Sequence, residues 1–178
     1  MGSSIMDWRI ERLTDENIGG VHAVWRGIIA ERVFLATFAP PPLDKFQTFV
    51  KQARASGGVF MTALSDGEVI GYCNIERFGG EARRHGGGLA TGVARNWRGR
   101  GLGSALMACA LEAGFADGLE RIELQVRIDN LPAQKLYRRF GFQTEGRLRE
   151  ALKVDGQPID LLAMSLLKRD GAQAPAPS

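Results

Sequence analysis

The residues of this chain best suited to chemistry stand together in Val93-Ala94-Arg95-Asn96-Trp97-Arg98-Gly99-Arg100-Gly101-Leu102-Gly103-Ser104. An apolar run ends in three alternating glycines, and a run of small apolar residues follows at once. That order predicts a strand feeding through a tight loop into a helix. The leading N–H groups of a helix have no partner inside it, and the helix dipole adds partial positive charge there, which suits phosphate oxygens. Gly99, Gly101 and Gly103 would let the backbone approach a diphosphate without a β-carbon in the way. Arg98 and Arg100 could add charge-assisted hydrogen bonds, with Leu102 and Ser104 completing the turn.

Three readings of such a loop compete. A Rossmann-type dinucleotide loop uses G-x-G-x-x-G early in a βαβ unit. Here the spacing is G-x-G-x-G, in mid-chain, behind strands that form hairpins. A kinase-type P-loop needs Lys before the Ser or Thr that follows its last glycine, and Gly103-Ser104 lacks it. The third reading is a flexible turn that binds nothing, which the loop alone leaves open.

The pattern Arg98-x-x-Gly101-x-Gly103, behind a strand and ahead of an apolar helix, resembles the acyl-CoA signature of the GNAT acetyltransferases. A second block, Asn130-x-x-Ala133-x-x-Leu136-Tyr137 followed by Phe140-Gly141-Phe142, is similar to that family's downstream motif. The distance between the blocks fits one helix and one strand. Within the family the chain is similar to bacterial amino-acid and peptide N-acetyltransferases of the YhhY type, through Arg121-Ile122-Glu123-Leu124, Asp129-Asn130 and Glu145-Gly146. Polyamine and phosphinothricin acetyltransferases share much of that C-terminal pattern.

The resemblance implies an acetyl-CoA-dependent N-acetyltransferase that uses no metal and attacks directly in a ternary complex. It implies that Arg98 to Ser104 cradle the pyrophosphate. The strand around Gly92 and Val93 would splay from its neighbour and pair with the pantetheine arm, the Val93 N–H facing the thioester oxygen. Tyr137 would protonate the departing sulfur. Similar enzymes are often homodimers.

The residues themselves keep other readings open. Ala133, Leu136, Tyr137 and Phe140 form one helical apolar stripe, where an aromatic is usually core. Asn130 suits a helix cap as well as a contact to the CoA arm. Deprotonating an alkylammonium of pKa about 10.4 at pH 7 costs roughly 4–5 kcal/mol, against about 1 for a peptide α-amine near 8. An α-amino acceptor therefore needs only a modest base or a water chain. Glu76, near the end of the third strand, is a candidate base. His85, before the fourth, is a candidate acceptor contact. Each reads more readily as a solvated side chain or hairpin partner.

These residues need a frame. Trp8–Leu13 alternates as a first strand. Thr14 and Asn17 precede a helical spacing through Val21, Val24, Trp25 and Ile28. Pro40, Pro41 and Pro42 break the chain before an amphipathic helix over Leu43–Ala55. Val59–Leu64 and Val69–Phe78 flank Asp66-Gly67, a tight-hairpin pair. Gly79–Gly88 reads as a polar, mobile loop and Leu89–Arg95 as a central strand. Ser104–Ala116 reads as a buried helix and Ile122–Ile128 as a strand. A short helix follows between Asn130 and Gly141, and Phe142–Val154 and Pro158–Leu167 are strands around Asp155-Gly156. The expected fold is mixed α/β. A mostly antiparallel sheet of seven strands carries one parallel, splayed pair, Leu89–Arg95 with Ile122–Ile128, and helices on both faces.

Composition narrows the class. At 178 residues and 44% apolar, one globular domain is expected over residues 8–168. Residues 1–7 read as a flexible start or tag remnant and 169–178 as a disordered tail. The absence of a long apolar run or a charged-then-apolar leader leads us to expect a cytoplasmic protein with no membrane partner. A net charge of +3 is compatible with nucleic acid, but the cations alternate with acids and form no tract, so an anionic small ligand fits better. Cys73 and Cys109 sit in apolar segments and read as inert thiols. Rival functions are a polyamine or antibiotic acetyltransferase, a CoA-binding regulator without turnover, and a nucleic-acid binder.

Overall fold

Hydrophobic alternation builds the sheet. The computed structural model describes residues 8–32 and 39–171. Among them β1 (Arg9–Arg12), β2 (Val59–Ser65), β3 (Glu68–Arg77), β4 (Gly86–Val93), β5 (Arg121–Arg127), β6 (Gln143–Val154) and β7 (Gln157–Leu167) form one sheet. Its order is β1-β2-β3-β4-β5-β7-β6. Neighbours run antiparallel except β4 and β5, which are parallel. The two Asp-Gly turns have positive φ at both residues, Asp66 and Gly67 at 49° and 82°, Asp155 and Gly156 at 49° and 81°. That geometry matches the twist of paired strands and sets both hairpins.

Two cores flank the sheet. Phe60 and Tyr72 point to α1 (Ile18–Ala30) and α2 (Leu43–Ala55), joining Val21, Val24, Phe46 and Val50. The next residue of each strand, Met61 or Cys73, points the other way into α3 (Leu102–Ala116), against Leu106, Met107 and Ala110. The short helix α4 (Leu131–Arg139) adds Tyr137 to that second core, with Phe140 just beyond it. Helices therefore cover both faces, and the element order agrees with the expectation.

Several boundaries differ. The fourth strand runs Gly86–Val93 rather than Leu89–Arg95, and Arg95–Trp97 is a 3-10 turn. The polar loop accordingly ends at His85, and Glu81–Arg83 within it is also a 3-10 turn. Gly86, Gly87 and Gly88 are strand because they pair with β5, and Gly87 and Gly88 also with β3; at Gly87 a β-carbon would meet Ile75 Cγ2 at 2.8 Å and Glu76 O at 2.9 Å. The long apolar helix begins at Leu102, two residues before Ser104. At the end of the described residues Lys168–Asp170 form a 3-10 turn, and the Lys168 N–H bonds Glu120 O at 2.8 Å. Residues 1–7 and 172–178 lie outside the described residues. No helix among the described residues is long and apolar enough to cross a membrane.

Candidate active site

The parallel pair is short. Gly86, Gly87 and Gly88 pair with Arg121, Ile122 and Glu123, and beyond Gly88 the two strands part. A cavity of about 840 Å³ opens along the parted segment, between β4 from Leu89 to Val93 and β5 from Gln125 to Arg127. That volume suits a small-molecule site.

The phase of the β3–β4 ladder orients the β4 backbone. The Ala94 N–H bonds Ile70 O at 2.9 Å, so Ala94 and Gly92 turn their polar groups to β3. Thr91 and Val93 turn theirs the other way, into the opening. The Val93 carbonyl accepts from Arg98 Nε at 3.0 Å, and its N–H shares that direction. The Thr91 hydroxyl donates to Tyr72 O at 3.0 Å, which steadies the strand at this point.

The glycine loop stands at the end of β4. Gly99 and Gly101 have φ of 75° and 81°, with no heavy atom within 4 Å of where a β-carbon would lie. Their requirement is conformational: the left-handed region favours glycine. Gly103 differs, because its β-carbon would enter the cavity wall, 3.7 Å from Val93 Cγ2 and 3.8 Å from Leu136 Cδ2. The intrahelical ladder of α3 begins with the Ala105 N–H on Gly101 O, so the N–H groups of Leu102, Gly103 and Ser104 precede it. Leu102 itself is buried as an anchor of the helix start.

The two arginines separate in role. Arg98 does not spread over the loop; its Nη1 and Nη2 each reach a Glu31 oxygen at 2.7 Å, tying the end of α1 to the end of β4. Arg98 holds the Glu31 carboxyl below its usual range, with Arg95 adding to the effect. Arg100 is exposed, its guanidinium 5.1 Å from the Trp97 ring centre. Arg100 thus stands as an exposed cation beside the loop backbone.

Tyr137 reaches the cavity from α4, with its side chain buried and its ring 5.9 Å from that of Phe142. Burial, and then Cys73, push its phenol above the ordinary value, so the hydroxyl keeps its proton. Core and cavity wall are thus one position. Asn130 also does two things: its side chain caps α4, accepting from the Ala133 N–H at 3.2 Å, and it borders the cavity. Gly141, at φ 90°, follows the helix.

Glu76 borders the cavity on the α1–α2 face, beside Asn74 and Tyr72. His85 does not come near. It is exposed before the first residue of β4, about 26 Å along the chain from Val93 at strand rise. Its carbonyl accepts from the N–H groups of Glu120 and Arg121. Its closeness in sequence to β4 placed it at the wrong end of the strand. Cys73 is wholly buried, and burial pushes its thiol up to about 12.

Sequence reasoning missed the aromatic wall, in which Trp25 and Phe46 lie 5.4 Å apart and Phe49 is 6.5 Å from Phe46. It also missed Gln125 and Arg127, which alternation assigns to a polar face. The Arg127-x-Asp129-Asn130 run just before α4 was the available signal. Among the described residues there is no cluster of side chains able to hold a metal.

A profile of the acetyltransferase (GNAT) family matches residues 27–142. The chain is 33% identical over 111 residues to the L-amino acid N-acetyltransferase AaaT of Escherichia coli K12, covering 61% of this chain and 67% of that one. It is 27% identical over 174 residues to an L-methionine sulfoximine/L-methionine sulfone acetyltransferase of Pseudomonas paraeruginosa PA7, covering 93% and 95%. The matched stretch spans less than two thirds of several further relatives. In fold it is similar to the yncA protein of Salmonella typhimurium, solved with its cofactor acetyl-CoA, at a TM-score of 0.86, 15% identity, and coverage of 96% and 99%.

Proposed function

The chain belongs to the GNAT acetyltransferase family, and on that premise we propose that it moves the acetyl group of acetyl-CoA to the amino group of an amino acid or small peptide by direct attack in a ternary complex. The observation that carries this reading is the fork between β4 and β5. Two backbone residues, Thr91 and Val93, turn into it, the glycine loop stands at its end and Tyr137 borders it.

Acetyl-CoA supplies the acetyl group and a thiolate leaving group. The residues around the fork suit it. The backbone from Arg98 to Ser104 offers helix-terminal donors to the pyrophosphate, and Gly103 leaves room that a β-carbon would narrow. Gly92 and Val93 line the path of the pantetheine arm, with Asn130 across from them. The Val93 N–H stabilises charge on the carbonyl oxygen as it develops, an effect of a few kcal/mol. The Tyr137 phenol gives its proton to the departing sulfur. Glu76 is the candidate acceptor for the ammonium proton, directly or through water.

The acceptor reading rests on the walls. Trp25, Phe46 and Phe49 form an apolar side to the cavity, and Glu76 is its lone carboxylate among the described residues. A polycation would want clustered carboxylates. The names of the relatives, an L-amino acid acetyltransferase and a methionine sulfone acetyltransferase, favour the same class. An acetyl-CoA-dependent thiol-release screen over amino acids, dipeptides, polyamines and amine antibiotics tests it. Amino acids or dipeptides should lead. Spermidine ahead of all of them by about tenfold in kcat/KM would overturn the acceptor class.

A further inference from the structure

Arg127 ends β5 with its side chain on the α1–α2 face. The registers fix this: Glu123 lies across Gly88 from Glu76, so Gln125 and Arg127 share the face of Glu76, Asn74 and Tyr72. The Arg127 side chain is 9% exposed and borders the cavity.

Asp129 occupies one edge of the guanidinium. Nε donates to Asp129 Oδ1 at 2.9 Å and Nη2 to Oδ2 at 2.6 Å. Gln134 Nε2 steadies the backbone beneath, donating to Arg127 O at 3.1 Å and Ile128 O at 2.8 Å. Nη1 remains. Among the described residues it is the single buried side-chain polar atom with no hydrogen-bond partner. Buried donors are nearly always satisfied, so one left over at a cavity edge calls for an acceptor that arrives with a ligand.

The geometry says which acceptor. Asp129 takes the side-on edge, Nε with Nη2, and the end-on edge, Nη1 with the second hydrogen of Nη2, is left. Two parallel N–H groups on a planar fork match the two oxygens of a carboxylate. The phosphate-type donors belong to the start of α3, which packs on the other face, so the cofactor's diphosphate has its own site. Glu76 shares the Arg127 face and offers the opposite charge. We propose that Arg127 anchors the carboxylate of the acceptor through its end-on edge, so that the enzyme selects free α-amino acids over their amides and over simple amines.

This rests on the acetyltransferase reading and extends it. The test compares L-methionine, L-leucine and L-phenylalanine with their carboxamides in wild type and in Arg127→Lys, which keeps a cation for Asp129 but not the fork. In wild type the acids should exceed the amides in kcat/KM by about tenfold or more, and the variant should lose that preference through KM for the acids alone. Acetyl-CoA affinity, measured by titration, should not move. Amides acetylated as well as acids by wild type overturn the proposal, and that comparison needs no variant to fold. So does a variant that slows acids and amides alike, or one whose loss lies in acetyl-CoA affinity. If no amine releases thiol, the acetyltransferase reading fails separately. Calorimetric titration of the same acids and amides into CoA-loaded protein then decides the anchor: binding of acids alone upholds it, and binding of neither or both overturns it.

Discussion

Tyr72 lies across Gly92 so closely that a β-carbon on Gly92 would stand 2.7 Å from Tyr72 Cε1, with Ile28 Cδ1 at 2.6 Å. The two residues are cross-strand partners, and the contact seats α1 on the strand that edges the fork. Gly92→Ala must push the tyrosine ring and Ile28 away together. Overpacking of this kind costs about 1–3 kcal/mol. Calorimetry should show a melting temperature lower by roughly 3–10 °C. An unchanged transition would mean that α1 is not held there.

Arg98 and Glu31 make a fork-to-carboxylate pair between segments 67 residues apart. Because the folded carboxyl titrates below its ordinary value of 4.5, the unfolded chain binds that proton more readily. The stabilisation is complete above that ordinary value and is lost as pH falls through the folded one. Glu31→Gln should cost about 1 kcal/mol at pH 7, with wild type and variant converging as the pH falls below the ordinary value and the folded carboxyl takes up its proton. Denaturant unfolding at several pH values measures it. A difference that persists undiminished at acid pH would assign the effect to packing.

These two contacts mark what the sequence could and could not tell. Hairpin ends were legible because Asp66-Gly67 and Asp155-Gly156 state their own backbone geometry, and α4 was legible from Asn130, Pro132 and Gly141. The Gly86–Gly88 run was not. A glycine triplet reads locally as a loop, whereas pairing with β3 and β5 makes it strand. Alternation put Arg127 on the polar side of β5 but carries no information about what stands over that side. The pairing of Arg98 with Glu31 was not legible because the two are remote in sequence. The loop and the tyrosine were found through motif spacing, and the acceptor wall is assembled from α1 and α2, whose residues carry no such spacing.

Gly101→Asp separates the cradle from the fold. Gly101 has φ 81° and no heavy atom within 4 Å of where a β-carbon would lie. Asp tolerates the left-handed region better than most residues and is favourable at a helix N-terminus, which limits the stability loss to about 1 kcal/mol. A carboxylate where the diphosphate approaches should abolish binding. Saturating CoA should raise the wild-type melting temperature and leave the variant's unchanged. An equal rise in both would remove the loop from cofactor binding.

Tyr137 carries the sharpest test, because its position is both core and cavity wall. Tyr137→Phe keeps the ring against Phe142 and removes only the hydroxyl. As the proton donor to sulfur, that hydroxyl should be worth roughly 10²-fold or more in kcat, with acetyl-CoA affinity little changed. A purely structural hydroxyl predicts the reverse: stability lower by about 1 kcal/mol and turnover intact. Burial holds the phenol protonated well past neutral pH, so the donor is loaded throughout the working range. Its loss should therefore lower kcat by a similar factor across the whole profile without changing the profile's shape. A water molecule standing in for the phenol would shrink that uniform drop. Full turnover with an unchanged profile would take Tyr137 out of the chemistry and leave positioning by the fork to account for the rate.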